Sequence, residues 1–170
     1  MSETKISIPK AEWPELKQDC KALLNRLEEF FKDDMDGGLT PQRMKELNAD
    51  QLTLLAYLIF RKEMLEGGLV QLIFNGYGPF VFINPFAKAL RLWGMKDFSK
   101  FVYTARELYE KEKGSIEGKD LSEDDFMALY EQHPELDGTD DDFVEMEPRI
   151  SRELANFVAQ NPERFGIEAN

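Results

Sequence analysis

The chain has 170 residues and a formal net charge of −12, and 42% of its residues are hydrophobic and 12% aromatic. This length suits one domain with a hydrophobic core, and the apolar content excludes a disordered acidic protein. No apolar run approaches the roughly 20 residues of a membrane-spanning helix, the start resembles no secretory signal, and a single cysteine excludes an internal disulfide, so we expect a cytoplasmic protein with no membrane association.

The first part of the chain predicts a polar start followed by helices. Residues 1–12 predict a polar, partly extended leader, and residues 13–170 predict a single compact multi-helix domain of the all-α class. Apolar residues recur at spacings of three and four from Trp13 to Phe31, which is typical of an amphipathic helix. The glycines that begin at Gly37 end this element.

The next segment predicts a short helix and then a buried one. Thr40 can cap a helix that begins at Pro41. Residues 52–60 are apolar on nearly all sides, which indicates a helix buried in the centre of the fold. The glycine pair at 67–68 interrupts this helix, and residues 69–74 predict a short helical piece.

The middle and end of the chain predict further helices around one uncertain segment. Residues 79–83 are compatible with a loop or with one short strand or extended segment. Two helices follow, over 84–94 and 97–113, and Ser122 can cap another. Thr139 precedes three acids in a first helical turn, where the helix dipole favours negative charge.

The negative charge excess lies in one stretch. Residues 1–109 carry 15 acids and 15 bases, and residues 148–170 carry three of each, whereas residues 110–147 carry 15 acids and three bases. Like charges this concentrated repel one another and cost folding stability. The stretch is therefore interpreted either as a solvated face or as an array of carboxylates that binds a basic partner as the phosphates of DNA do. The candidate partner-binding residues are Glu117, Asp120, Glu123, Asp124, Asp125, Glu131, Glu135, Asp137, Asp140, Asp141, Asp142, Glu145 and Glu147.

Residue types that support catalysis or metal binding are sparse. His133, the only histidine, precedes Pro134 and predicts an exposed turn residue, and Cys20 lies on an apolar helix face and predicts buried packing. The acids from Asp137 onward lack the glycine and glutamate spacing of a calcium loop. We therefore predict no catalytic residue, no cofactor and no metal, and a protein that is not an enzyme.

A second distinctive segment surrounds the glycine pair. Gln71 and Asn75 are four residues apart and share a helix face. Under a structural interpretation, their amides satisfy buried chain ends beside Gly67 and Gly68. Under the alternative, these residues and Tyr77 line a pocket of a small-molecule-binding or enzymatic domain, which requires an unpaired amide that points into a cavity.

The pattern of Gly67, Gly68, Gln71 and Asn75 resembles the signature of the DNA-mimic-protein-like family, a group of helical bacterial domains mostly of unknown function. In that family Asn usually precedes the glycine pair and Phe follows it, and here Glu66 and Leu69 depart from the pattern. Similarity continues over roughly residues 48–165, through the segments Ala89-Leu90, Trp93-Gly94-Met95, Leu136-Asp137 and Asp140-Asp141-Asp142-Phe143.

The resemblance implies an all-α fold with the signature at a packed helix junction, and a homodimer that imitates DNA. It also implies a basic, DNA-binding or transcription-regulating protein as the partner, whereas direct binding of nucleic acid is unfavourable because acids repel phosphate. Our leading hypothesis is a non-enzymatic interaction protein that uses its acidic stretch. The alternatives are the ligand-binding domain described above and a structural or regulatory subunit whose acids serve only solubility.

Overall fold

Helices dominate the fold, which confirms the all-α prediction. The computed structural model describes residues 4–170, and within that range no helix is both long and apolar enough to span a membrane. The caps predicted at Thr40 and Ser122 are present, since each side chain accepts a hydrogen bond from the backbone N–H three residues later. The helices are α1 Trp13–Leu16, α2 Cys20–Phe30, α3 Pro41–Glu46, α4 Ala49–Glu66, α5 Gly68–Phe74, α6 Phe86–Leu92, α7 Lys96–Glu112, α8 Glu123–Gln132 and α9 Asp137–Gln160.

The described residues divide into two compact units. The first contains the described residues up to Leu58 together with Pro148–Asn170, and the second contains Ile59–Glu147. The boundaries fall inside α4 and α9. The expectation of one domain over residues 13–170 stays a prediction.

The first unit contains a short parallel sheet beside its helices. Strand β1, Ile6–Ile8, pairs with β2, Ile167–Ala169, and Ile6 lies opposite Ile167 in the register. The segment predicted as a polar leader thus contains a buried strand, because Ile6 and Ile8 face the core. Residues 1–3 of that leader lie outside the described residues.

Polar groups inside the first unit are paired. Gln51 is fully buried and donates hydrogen bonds to the backbone oxygens of Thr4 and Phe165. Cys20, predicted as buried packing, is the first residue of α2 and is only partly buried. Its Sγ lies 3.5 Å from Oδ1 of Asn156.

The core of the second unit is built on aromatic rings. Phe60 of α4 contacts four other phenylalanines, with ring centroids 5.1 to 6.4 Å away. Such aromatic pairs add stability beyond their buried area. The four partners are Phe86, Phe98, Phe101 and Phe143.

The segment Pro79–Ile83 forms a helical turn and not the strand considered for it. Val81 and Phe82 are both buried, whereas a strand would place neighbouring side chains on opposite faces. Phe82 stacks on Tyr109 with ring centroids 5.0 Å apart. Proline suits the first position of a helical turn. Burial of Val81 and Phe82 holds the following residues of the turn in place.

Candidate functional site

Three helical segments of the second unit carry most of the acidic stretch. They are the end of α7, the whole of α8 and the first turns of α9. Ser122 caps α8, so Glu123, Asp124 and Asp125 occupy its first turn, where the helix dipole stabilises negative charge.

Packing of α8 and α9 determines which of their faces is exposed. The ring of Phe126 on α8 lies 4.6 Å from that of Phe74 on α5, and the Tyr130 hydroxyl donates to the backbone oxygen of Gly67 at 2.8 Å. On α9, Phe143 lies in the aromatic core. The acids that alternate with these anchors therefore face outward.

Ten of the thirteen candidate acids are exposed, and we call these ten the acidic surface. On α9 they include Asp137, Asp141 and Glu145, which are four residues apart and so form a row with about 5–6 Å between Cβ atoms. The acidic surface consists of Asp120, Glu123, Asp124, Asp125, Glu131, Glu135, Asp137, Asp141, Asp142 and Glu145.

The acidic surface is not neutralised by basic side chains of its own chain. Across residues 4–170, the ion pairs of lysine and arginine involve other acids, and only Glu135 of the ten has a cationic partner, the His133 ring when that ring is protonated. The carboxylates of the acidic surface are therefore available to a positively charged partner protein.

Glu117 and Glu147 are partly buried and have partners inside the fold. We therefore leave these two candidate acids out of the acidic surface. The Tyr109 hydroxyl donates to Glu117, and burial, followed by this carboxylate, raises the pKa of Tyr109. Arg61 donates to Glu147 at 2.7 Å. The spacing of acids in the sequence could not separate these two residues from their exposed neighbours, because their partners lie on other helices.

Asp140, the third inward-facing acid, holds the start of α5. Its Oδ1 accepts the backbone N–H of Leu69 at 2.8 Å, across 71 residues of sequence. Burial raises the pKa of Asp140 to about 6, although the hydrogen bond from Leu69 opposes that shift. Gly68 has φ +74°, and a Cβ at this position would overlap the Asp140 carboxylate, so both features require glycine.

Gln71 and Asn75 share one acceptor that the sequence pattern did not reveal. Their side-chain amides donate to Oε2 of Glu63 at 2.6 and 3.0 Å. Glu63 is 4% exposed, and a buried carboxylate needs donors of this kind. The structural interpretation is therefore corrected in one respect, since the amides satisfy a buried carboxylate and not chain ends.

The requirement of the pocket alternative is not met at these residues. Both amides are paired with carboxylates, and Gln71 also donates to Glu66 at 3.2 Å. A Cβ on Gly67 would overlap the Gln71 side chain, so this glycine leaves room for the Gln71 amide beside the end of α4. We call Glu63, Gly67, Gly68, Gln71, Asn75 and Asp140 the helix junction.

His133 is buried, and the prediction of an exposed turn residue is wrong. It is 5% exposed and lies between the end of α8 and the helical turn Pro134–Leu136. Its Nδ1 lies 3.0 Å from Oε2 of Glu112 and 3.4 Å from Oε1 of Glu135. A backbone hydrogen bond, followed by the contacts with Glu112 and His133, lowers the pKa of Glu135.

Comparison with known proteins places the chain in a family. Residues 45–161, more than half of the chain, match the family model described as DMP19-like protein. The chain belongs to the DMP19-like family. DNA mimic protein DMP19 of Neisseria meningitidis serogroup B is 36% identical to it over 119 residues, which cover 70% of this chain and 72% of that relative.

These matches confirm the resemblance seen in the sequence. The region matched by the DMP19-like family model contains the whole helix junction and every residue of the acidic surface. In this DMP19-like protein the signature glycines and amides lie where α4, α5 and α9 contact one another, as the resemblance implied.

Proposed function

We propose that this DMP19-like protein is a non-enzymatic interaction protein whose acidic surface binds a basic, DNA-binding protein in place of DNA. The observation that carries the proposal is the set of ten exposed acids, none of them paired with a lysine or arginine of the described chain. The similarity to a relative named DNA mimic protein supports the same partner class.

Electrostatics explains how such a surface competes with DNA. Duplex DNA carries one negative charge per roughly 1.7 Å of its axis, and proteins that bind it are basic where they meet the phosphates. A protein surface with many fixed carboxylates attracts the same basic groove and increases the rate of association. The interaction weakens with salt, because the charges are exposed and screened.

The proposal is tested by capture of basic proteins on the immobilised chain. Wild type, incubated with native cytosol at low salt, is expected to retain DNA-binding proteins that elute as salt rises. The surface variant carries Asp124→Asn, Asp141→Asn, Asp142→Asn and Glu145→Gln. We expect this variant to retain none of these DNA-binding proteins.

A matched control variant also removes four negative charges, but outside the acidic surface. Four exposed acids of the first unit are suitable, in the variant Glu15→Gln, Glu29→Gln, Asp33→Asn and Glu163→Gln. This variant should capture the same proteins as wild type. If both variants behave as wild type does, the acids serve only solubility and the proposal fails.

We also propose that the protein acts as a homodimer, as the resemblance implies. Ile83 and Leu92 of the second unit are 63% and 77% exposed and offer apolar contacts between copies. Light scattering after gel filtration is expected to give twice the 19.7 kDa chain mass, and Leu92→Lys should reduce the dimer. A monomeric wild type would exclude this assembly. The cytoplasmic location stays a prediction.

A further inference from the structure

Glu112, His133 and Glu135 bring three metal-binding side chains together from separate elements. Glu112 is the last residue of α7, His133 follows α8, and Glu135 lies in the turn before α9. Their side chains are 14%, 6% and 36% exposed. One face of the cluster is therefore protein, and the side of Glu135 is open to solvent.

We propose that these three residues bind a divalent transition-metal ion of the Zn²⁺ type. One ligand atom from each residue lies within 4.8 Å of the others, and Nδ1 of His133 lies 3.0 and 3.4 Å from the two carboxylate oxygens. Zinc bonds of about 2.0–2.2 Å to nitrogen and oxygen place neighbouring tetrahedral ligands about 3.3–3.6 Å apart. The ion would fit with small movements of the side chains.

The donor set determines the class of ion. One imidazole nitrogen and two carboxylate oxygens suit Zn²⁺, while Mg²⁺ and Ca²⁺ prefer ligand sets made only of oxygen. Three protein ligands leave a fourth tetrahedral position for water or for another ligand.

Local charge also favours a cation at this place. Residues 110–147 carry 15 acids and only three bases, and two carboxylates converge on a single ring nitrogen. A divalent ion would reduce their repulsion. It would also join the end of α7 to the connection between α8 and α9, so it should raise thermal stability. This inference does not depend on the proposed function.

Isothermal titration of the chelator-treated protein with ZnCl₂ tests the site, with MgCl₂ and CaCl₂ for comparison. We expect one saturable Zn²⁺ per chain, a higher Tm with Zn²⁺, and much weaker binding of the other two ions. His133→Asn and Glu135→Gln should each weaken Zn²⁺ binding roughly 10- to 100-fold or more. The matched control Glu131→Gln removes another exposed negative charge without changing a ligand, and it should bind as wild type does.

Glu135→Gln is the safer of the two variants, because its side chain lies at the surface and should not disturb folding. Co²⁺ bound in place of Zn²⁺ should also give a visible absorption spectrum that the Glu135→Gln variant loses. The proposal is overturned if wild type binds no Zn²⁺ with 1:1 stoichiometry. It is equally overturned if Glu135→Gln and Glu131→Gln reduce binding to the same small extent, which would indicate general attraction to carboxylates.

Discussion

The acidic surface and the helix junction use the same residue types in opposite surroundings. On the acidic surface, Asp141 and Asp142 point to solvent. One residue earlier, Asp140 turns inward and holds the backbone of α5, and Glu63 lies buried between two amides. The comparison teaches that a carboxylate inside this fold is held by donors that meet it, whereas the carboxylates of the acidic surface have no lysine or arginine partner. Those exposed carboxylates repel one another and are available to a partner protein.

The largest stability effect is expected from removal of the buried carboxylate. Glu63→Ala leaves the amides of Gln71 and Asn75 without their shared acceptor, and unsatisfied buried groups are costly. We expect a loss of roughly 3 kcal/mol in the free energy of unfolding, measured by urea denaturation. Glu131→Ala on the exposed face of α8 should change it by less than about 0.5 kcal/mol. Equal losses in the two variants would remove the distinction between the regions.

Gly68→Ala is expected to have the next largest effect. The added Cβ both strains a backbone at φ +74° and overlaps Asp140, so we expect a loss of roughly 2 kcal/mol. Gly118→Ala is a matched control, because Gly118 has φ +71° and its Cβ would meet no described atom within 4 Å. It should cost only about 1 kcal/mol. If both variants lose the same stability, the contact with Asp140 has no energetic role.

Asp140 should give the protein a specific dependence on pH. Its pKa is about 6 in the fold, above the ordinary 3.8, so the folded state binds its proton more tightly than the unfolded state does. This contribution is present below pH 4 and is lost as pH rises from about 4 through 6. Asp140→Asn keeps an acceptor for Leu69 but removes the titration.

Denaturation at pH 4 and pH 7 measures this effect. Stability of wild type relative to Asp140→Asn should fall by roughly 1 kcal/mol over that interval, after allowance for the exposed part of the side chain. Asp124→Asn, a change on the acidic surface, should show no such difference. A pH-independent difference between wild type and Asp140→Asn would contradict the raised pKa.

The smallest stability effect belongs to the surface variant of the capture experiment. Its four changes remove repelling charges and no internal contact, so the free energy of unfolding should stay within about 0.5 kcal/mol or rise slightly. Thermal denaturation alongside the first-unit control variant checks this. A large loss of stability would mean that the exposed acids support the fold.

Elements that depend on neighbouring residues could be predicted from the sequence more accurately than contacts between residues far apart in the chain. The caps at Thr40 and Ser122 are local, and both were found. The single helix predicted from Trp13 to Phe31 is instead divided into α1 and α2, because Asp19 caps the start of α2. Strand β1 was missed because Ile6 pairs with Ile167 at the other end of the chain. The helical turn at 79–83 was uncertain because its register depends on Phe82 stacking on Tyr109.

The same limit applies to the candidate site. The acidic stretch and the signature residues could be found from composition and spacing. Their roles could not, since Asp140 meets Leu69 across 71 residues and the amides meet Glu63 on another helix. His133 was placed at the surface because its sequence neighbours are polar, whereas its ring is buried and lies beside Glu112 of α7, 21 residues earlier in the chain.

Competition with DNA tests the central claim most directly. A DNA-binding protein recovered by capture is loaded with fluorescent duplex DNA, and wild type or the surface variant is added while anisotropy is followed. We predict that wild type releases the DNA, and that the surface variant needs at least about tenfold more protein because it lacks four of the ten exposed charges. Mimicry by the acidic surface would be contradicted if wild type and the surface variant released the DNA at equal concentrations. It would also be contradicted if wild type bound the DNA-binding protein while the DNA stayed bound.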